Sequence, residues 1–318
     1  MMKTFSKGMK FTVIAACACL LLSATAWAAP ENNGPYTSTR YSQSITARDG
    51  GTISTYVYTT SAAGMRPLIV FRHGFSRSKD VLNNYGTHWA TRGFNVILPD
   101  SRTGISPDYT GKDSNDMIDC ANWAVLRSAT AGNYLTGKID PSRVIFGGHS
   151  AGGYTAEIAT YKNVAQGEGN FDCAVMVLYD PVPTDVGYSE TIAQSIAIPS
   201  VMLYGVSDIC NSFGAGTGIF QNTAGPSYGI YVKAADHCDF ESYYTSACAI
   251  ACLKWPFGGW DSTKNNEVKR YGTAMIEAYA NCDAAAYPYI NGSIAKSDTK
   301  IEIYTESRFL DMPPDNCQ

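Results

Sequence analysis

The sequence predicts an α/β fold in one domain, a mostly parallel sheet with helices packed on both faces. Two observations carry this expectation. Short apolar runs alternate along the chain with stretches whose apolar residues recur at helical spacing. Near the middle, "VIFGGHSAGGYT" (144–155) joins an apolar run to a helical stretch through a turn crowded with glycine. Composition permits such a fold, since 45% hydrophobic and 16% charged residues in a chain of 318 suit a large core and not long disorder.

The elements follow in order. Lys3, Lys7 and Lys10, the apolar run Phe11 to Leu22, and Ala26-Trp27-Ala28 make residues 1–28 a cleavable export signal. The apolar run is too short for a membrane span. Residues 29–41 are polar and rich in turn formers, which predicts a loose leader before a domain over 42–318. Ser42 to Thr60 alternates around Asp49-Gly50-Gly51, a hairpin signature. Pro67 to Phe71 is a buried-strand run ending at His73-Gly74-Phe75. Leu82, Tyr85 and Trp89 then mark a helix that Gly93 stops. Phe94 to Leu98 is the next strand and Met117 to Leu126 the next helix. Arg143 to Phe146 enters the central turn, and Tyr154, Ile158 and Tyr161 mark the helix leaving it. Strand runs follow at Cys173–Tyr179, Val201–Tyr204 and Gly229–Val232, with Val268, Tyr271, Met275 and Tyr279 on a late helix. Between Asp180 and Pro199 there is room for one helix, so no large cap domain is expected.

The turn carries the chemistry. Gly148-x-Ser150-x-Gly152 after a strand and before a helix is the context of a nucleophile elbow, where a strained turn exposes the serine. A serine hydroxyl needs a base, and the chain has four histidines. His149 adjoins Ser150 and projects from the turn in another direction; His88 lies within the first helix; His73 ends an early strand. His237 alone follows a late strand, in Ala235-Asp236-His237-Cys238-Asp239, and is the expected base. For the acid two aspartates compete. Asp208 follows the strand 201–204 in a Gly-x-x-Asp turn. Asp180 ends the preceding strand, and Pro181 is expected to hold it in extended geometry, which favours Asp180 as the acid with Asp208 as the alternative.

The order serine, acid, histidine is that of the α/β-hydrolase fold. The blocks "HGFSRSKD", "ATRGFNVILPDSR", "GGHSAGG", "LYDPVP" and "DHCDFES" resemble those of plant chlorophyllases and their bacterial relatives, of platelet-activating-factor acetylhydrolases, and of cutinase-like polyester hydrolases. The resemblance spans about Pro67 to Ser242. It implies a serine carboxylic-ester hydrolase with an oxyanion hole from the backbone N–H groups of Phe75 and Ala151. Chlorophyllase-like and acetylhydrolase-like blocks place their acid at the "DPV" position, Asp180, whereas polyester hydrolases use the later one, Asp208. Cys210 and Cys238 each follow one of two neighbouring late strands, and the resembling polyester hydrolases carry a disulfide in this region. A Cys210–Cys238 bond is therefore expected, tethering the His237 loop. A serine peptidase or amidase on the same fold, or a catalytically silent binding module, is the alternative reading.

The expected partner is an ester substrate, with no cofactor, no membrane span and a monomeric chain. Loss of the signal peptide removes three lysines and takes the formal charge from -4 to -7, which disfavours nucleic acid. Ten cysteines less Cys17 and Cys19 leave eight, an even number that suits disulfides in a secreted or periplasmic protein. Zinc is the rival at Cys248-x-x-x-Cys252, but no second such pair accompanies it, so no metal is expected.

Overall fold

A computed structural model describes residues 28–254, 259–305, 307 and 308. The export signal at 1–28 thus lies almost wholly outside the described residues. The hairpin strands β1 (Ser38–Thr46) and β2 (Thr52–Thr60) pair in antiparallel register, Thr46 opposite Thr52. Asp49 accepts from Gly51 N across their turn, where Gly50 takes φ 81°. β3 (Arg66–Arg72), α1 (Asn83–Thr91), β4 (Asn95–Pro99), α2 (Ser114–Ala129), β5 (Ile139–His149) and α3 (Ala151–Gln166) then alternate. β6 (Cys173–Tyr179), α4 (Val186–Ala193), β7 (Ser200–Tyr204), α5 (Thr217–Asn222) and β8 (Ser227–Val232) complete the alternating part. Then follow α6 (Ser246–Ala251), α7 (Ser262–Ala280), α8 (Ser293–Ser297) and β9 (Ile301–Ile303).

Among the described residues nine strands form one sheet in the order β1-β2-β4-β3-β5-β6-β7-β8-β9. Pairing is parallel from β4 through β8, and antiparallel at β1–β2, β2–β4 and β8–β9. This is the α/β-hydrolase fold that the serine context predicts. A single helix, α4, joins β6 to β7, so no cap domain stands over the sheet there.

The central strands are apolar on both faces, and their alternation divides the core in two. Ile69, Phe71, Ile145, Val177, Tyr179 and Leu203 point toward α1 and α7, packing on Trp89, Val268, Tyr271 and Met275. Leu68, Val70, Val144, Phe146, Met176 and Leu178 point the other way, onto Ile118 and Ala121 of α2 and Ala156 of α3. Both faces being covered, every parallel strand end is a fixed platform for a loop.

The leader departs from expectation. Residues 38–41 belong to β1, and the chain before them is anchored: Tyr36 N bonds to Thr91 O at 3.0 Å and Glu31 pairs with Arg270 at 2.6 Å. Its polar residues find partners on α1 and α7, which composition could not reveal.

Candidate active site

Ser150 stands between β5 and α3 with φ 58° and ψ -129°. Such a conformation is costly for a non-glycine residue and persists only where the surroundings enforce it. Here Ser150 N donates to Tyr179 O at 2.9 Å, and its carbonyl accepts from Gly153 N and Val182 N. The flanking glycines make the approach possible. A Cβ on Gly148 would lie 2.2 Å from Gly152 O, and one on Gly152 would lie 2.3 Å from Arg72 O. Gly74, in the loop after β3, presses on Ser150 so closely that a Cβ there would meet the serine Cβ at 2.9 Å. Phe75 and Ala151, whose N–H groups are the expected oxyanion donors, line one small hollow beside Gly74, with Ser101 and Tyr109 opposite.

Of the two candidate acids, Asp180 is the one that meets His237: its Oδ2 lies 2.6 Å from His237 Nδ1. Asp180 is 1% exposed, and its Oδ1 accepts from Gly205 N at 3.1 Å. Its backbone differs from the extended geometry expected before Pro181, with φ 41°. Asp180 N is held by Leu203 O at 2.7 Å while Val182 N reaches Ser150 O, so the chain must turn sharply between two neighbouring strand ends. Tertiary hydrogen bonding overrides the local preference. Asp208 instead accepts from Cys210 N at 2.8 Å and pairs with Lys254 at 3.3 Å.

His237 opens a one-turn 3-10 helix capped by Asp236, which accepts from Cys238 N, and by Asp239, which accepts from Asp236 N. His149 supports this turn from below. Its Nε2 lies 3.0 Å from His237 O, a contact that requires the proton on Nε2, and the two rings are 4.5 Å apart. Burial first, then the His237 ring, pushes His149 well below the usual histidine range, so it stays neutral. His73 bridges the loops after β3 and β4: Nδ1 contacts Gly74 O at 2.8 Å, and Nε2 accepts from Ser101 N at 3.2 Å. Burial and then Arg72 lower it to about 4. His88 contacts Thr273 Oγ1 at 3.1 Å, between α1 and α7.

The expected Cys210–Cys238 bond is corrected. Cys210 bonds to Cys252, and Cys238 bonds to Cys248. The reason is α6, which the sequence reading did not anticipate. Cys248 lies in this helix and Cys252 caps its C-terminus one turn on, so each loop cysteine bonds to a cysteine of this segment instead of to the other. The Cys238 and Cys252 sulfurs still approach to 3.7 Å. The sulfurs of Cys238, Cys248 and Cys252 cluster within 4.8 Å, but disulfide sulfur offers no thiolate for a metal. Cys282 also carries a disulfide, and Cys120 and Cys173 are free and buried.

Sequence reasoning missed several residues that frame the site. Arg77 makes a two-point contact with Glu241 at 2.5 and 2.8 Å, joining the loop of Phe75 to the loop of His237. Buried Asp113 binds Arg72 at 2.6 Å and accepts from Thr103 and Asp108 N, shaping the loop that carries Ser101 and Tyr109. Asn211 contacts Asp180. An arginine or asparagine in a loop carries no spacing signal, and only the fold reveals its partner.

The sheet order, the glycine elbow and an aspartate–histidine contact between the loops after β6 and β8 define an α/β-hydrolase. More particularly, the chain belongs to the chlorophyllase family, a family of α/β-hydrolase serine esterases: the Chlorophyllase family model matches residues 32–218, more than half of the sequence. No curated protein matches the chain. Family membership points to a hydrolase acting on esters.

Proposed function

We propose that the protein is a secreted serine carboxylic-ester hydrolase working through an acyl-enzyme. The observation that carries this reading is the 2.6 Å contact of His237 Nδ1 with Asp180, together with the strained turn that holds Ser150 at the head of α3. With Nδ1 committed to the carboxylate, Nε2 is the nitrogen left to take a proton. Ser150 Oγ attacks the ester carbonyl as His237 Nε2 removes its proton. Asp180 keeps the ring in that tautomer and stabilises the imidazolium. Negative charge develops on the carbonyl oxygen, and the N–H groups of Phe75 and Ala151 receive it. His237 then returns the proton to the leaving alcohol. Water, activated by the same ring, releases the acid and restores Ser150. All these groups come from one chain, so no cofactor or second subunit is required.

The substrate side is open and apolar. Phe75, Ile105, Val186, Phe213, Tyr244 and Leu253, all well exposed, lie on segments that follow the carboxyl ends of β3, β4, β6, β7 and β8. Exposed apolar side chains on these loops suit a bulky or polymeric ester better than a small one buried in a deep cavity. The export signal and the two loop disulfides support secretion. Among the described residues no helix is long and apolar enough to cross a membrane.

The test is a fluorophosphonate probe followed by an ester panel from acetate to long acyl chains, with a polyester film and matched amides. Ser150 should be the labelled residue, and Ser150→Ala and His237→Ala should each lower kcat by several orders of magnitude in folded protein. Near-normal turnover by folded Ser150→Ala would sink the reading. Amide cleavage at rates matching the esters would move the protein to the peptidases and amidases.

A further inference from the structure

We propose that Asn211 is a positioning residue that holds the Asp180 carboxylate in register with His237; this rests on the hydrolase reading above. Asn211 is 1% exposed, and its side chain is fully engaged. Nδ2 donates to Val206 O at 2.8 Å and to Asp180, whose Oδ1 and Oδ2 lie at 3.3 and 3.2 Å. Oδ1 accepts from Asp208 N and Gly214 N, each at 3.0 Å. Only one amide orientation satisfies this set, since two backbone N–H groups require the oxygen and a carboxylate and a carbonyl require the nitrogen.

The surrounding loop exists to seat this amide. Asp208 accepts from Cys210 N and Asn211 N, closing a tight turn after β7. The Cys210–Cys252 disulfide fastens that turn to α6, and α6 is fastened through Cys248–Cys238 to the residue after His237. The acid's support and the base are thus tied to one short helix. The strand-end aspartate that lost the contest for His237 works one step further back: it shapes the turn that presents Asn211.

Among the described residues the other donors to the Asp180 side chain are Gly205 N and His237, so without Asn211 the carboxylate has less to keep it from rotating away from the ring. Among the described residues the charged and titratable groups around the pair include His149 under the ring with Arg77 beyond it, Asp236 and Asp239 in the His237 turn, Tyr204 near Asp180, and Asp208 with Lys254 behind Asn211. None of them donates to Asp180 in place of the amide.

Two variants test the role, read by the rate of fluorophosphonate labelling of Ser150 and by kcat and KM for a short p-nitrophenyl ester across pH. Asn211→Ala should lower both kcat and the labelling rate roughly tenfold or more with KM little changed, because a bond to a charged group is lost. Asn211→Asp keeps the shape but sets a second negative charge beside the pair. It favours the imidazolium, so the acidic limb of the labelling profile should move to higher pH. A folded Asn211→Ala protein with both disulfides intact, wild-type rates and an unmoved limb would overturn the proposal, even if its Tm were lower. Should Asn211→Ala fail to fold, Asn211→Asp decides: an unmoved limb refutes the role. Absence of labelling at Ser150 in the wild-type protein would instead refute the hydrolase reading itself.

Discussion

Asp180 directly follows β6 and Asp208 lies in the loop after the neighbouring β7, and the two meet different partners. Asp180 meets the imidazole and Asp208 meets backbone amides. In the proposed mechanism Asp180→Asn loses the acceptor that selects the His237 tautomer. Its kcat should fall by roughly 10⁴-fold, the loss known for an equivalent change in the serine protease triad. Asp208→Asn keeps an oxygen for Cys210 N and should lose far less. Steady-state kinetics on both folded variants check the ranking, and the reverse order would move the acid to Asp208. The free cysteines give a second expectation at this scale. Cys173 is pushed up to about 12 by burial, and Cys120 well above its usual range. Neither thiolate forms at neutral pH, so both should resist a thiol reagent in native protein and react on unfolding, as mass spectrometry of labelled peptides would report.

At the scale of elements, α6 is the part that changes the picture of the site. Six residues long, it could not persist alone and is held by two cross-links and by its Thr245 cap. Peptide mapping under non-reducing conditions should recover Cys210–Cys252 and Cys238–Cys248 and no Cys210–Cys238 peptide. Replacing Cys238 and Cys248 together by serine should cost about 2–4 kcal/mol of stability, measured by urea unfolding. The same change should slow Ser150 labelling, because the His237 turn loses its tether. Unchanged labelling in a destabilised protein would restrict this cross-link to a purely structural role. The elbow is the other decisive element. Its glycines, not its serine, let the chain after β3 press against the turn after β5, so that Gly74 lies on Ser150.

Across the whole molecule, buried ionisable groups set the pH range of stability. Burial, then Arg92 and Lys269, lowers His88 to about 3, and His73 lies at about 4. The folded state keeps these rings neutral, while the unfolded chain takes up protons below about 6.5. Their stabilisation is therefore complete above pH 6.5 and is lost as the pH falls toward 4 and 3, at up to about 1.4 kcal/mol per unit for each site. Asp239, raised to about 6, and Glu277, raised to about 7, both chiefly by burial, act in the opposite sense. They contribute fully below their unfolded values and lose that contribution as the pH rises through 6 and 7. His88→Gln removes one histidine site without touching the acids. The stability gap between wild type and this variant, from urea unfolding at pH 7 down to pH 4, should narrow steadily below 6.5. A constant gap would mean that His88 is protonated in the folded protein.

What the sequence by itself determined is what periodicity and turn chemistry encode locally. The alternating strands and helices, the hairpin at Asp49-Gly50-Gly51 and the elbow at Ser150 were legible because each is written in adjacent residues. His237 could be singled out as a candidate because only four histidines compete and chain order separates them. Everything decided by contact between distant segments stayed hidden. The sequence favours Asp180 over Asp208 but leaves both open, and the contact with His237 spans 57 positions. The disulfides depended on α6, whose apolar residues are too few to show a period. Asn211, Arg77 and Asp113 act through partners set by strand order. The positive φ of Asp180 even runs against what Pro181 implies locally, because hydrogen bonds to Leu203 O and Ser150 O outweigh a single residue's backbone preference. Local preferences amount to about a kcal/mol or less per residue, and only a folded core can add enough contacts together to overrule them.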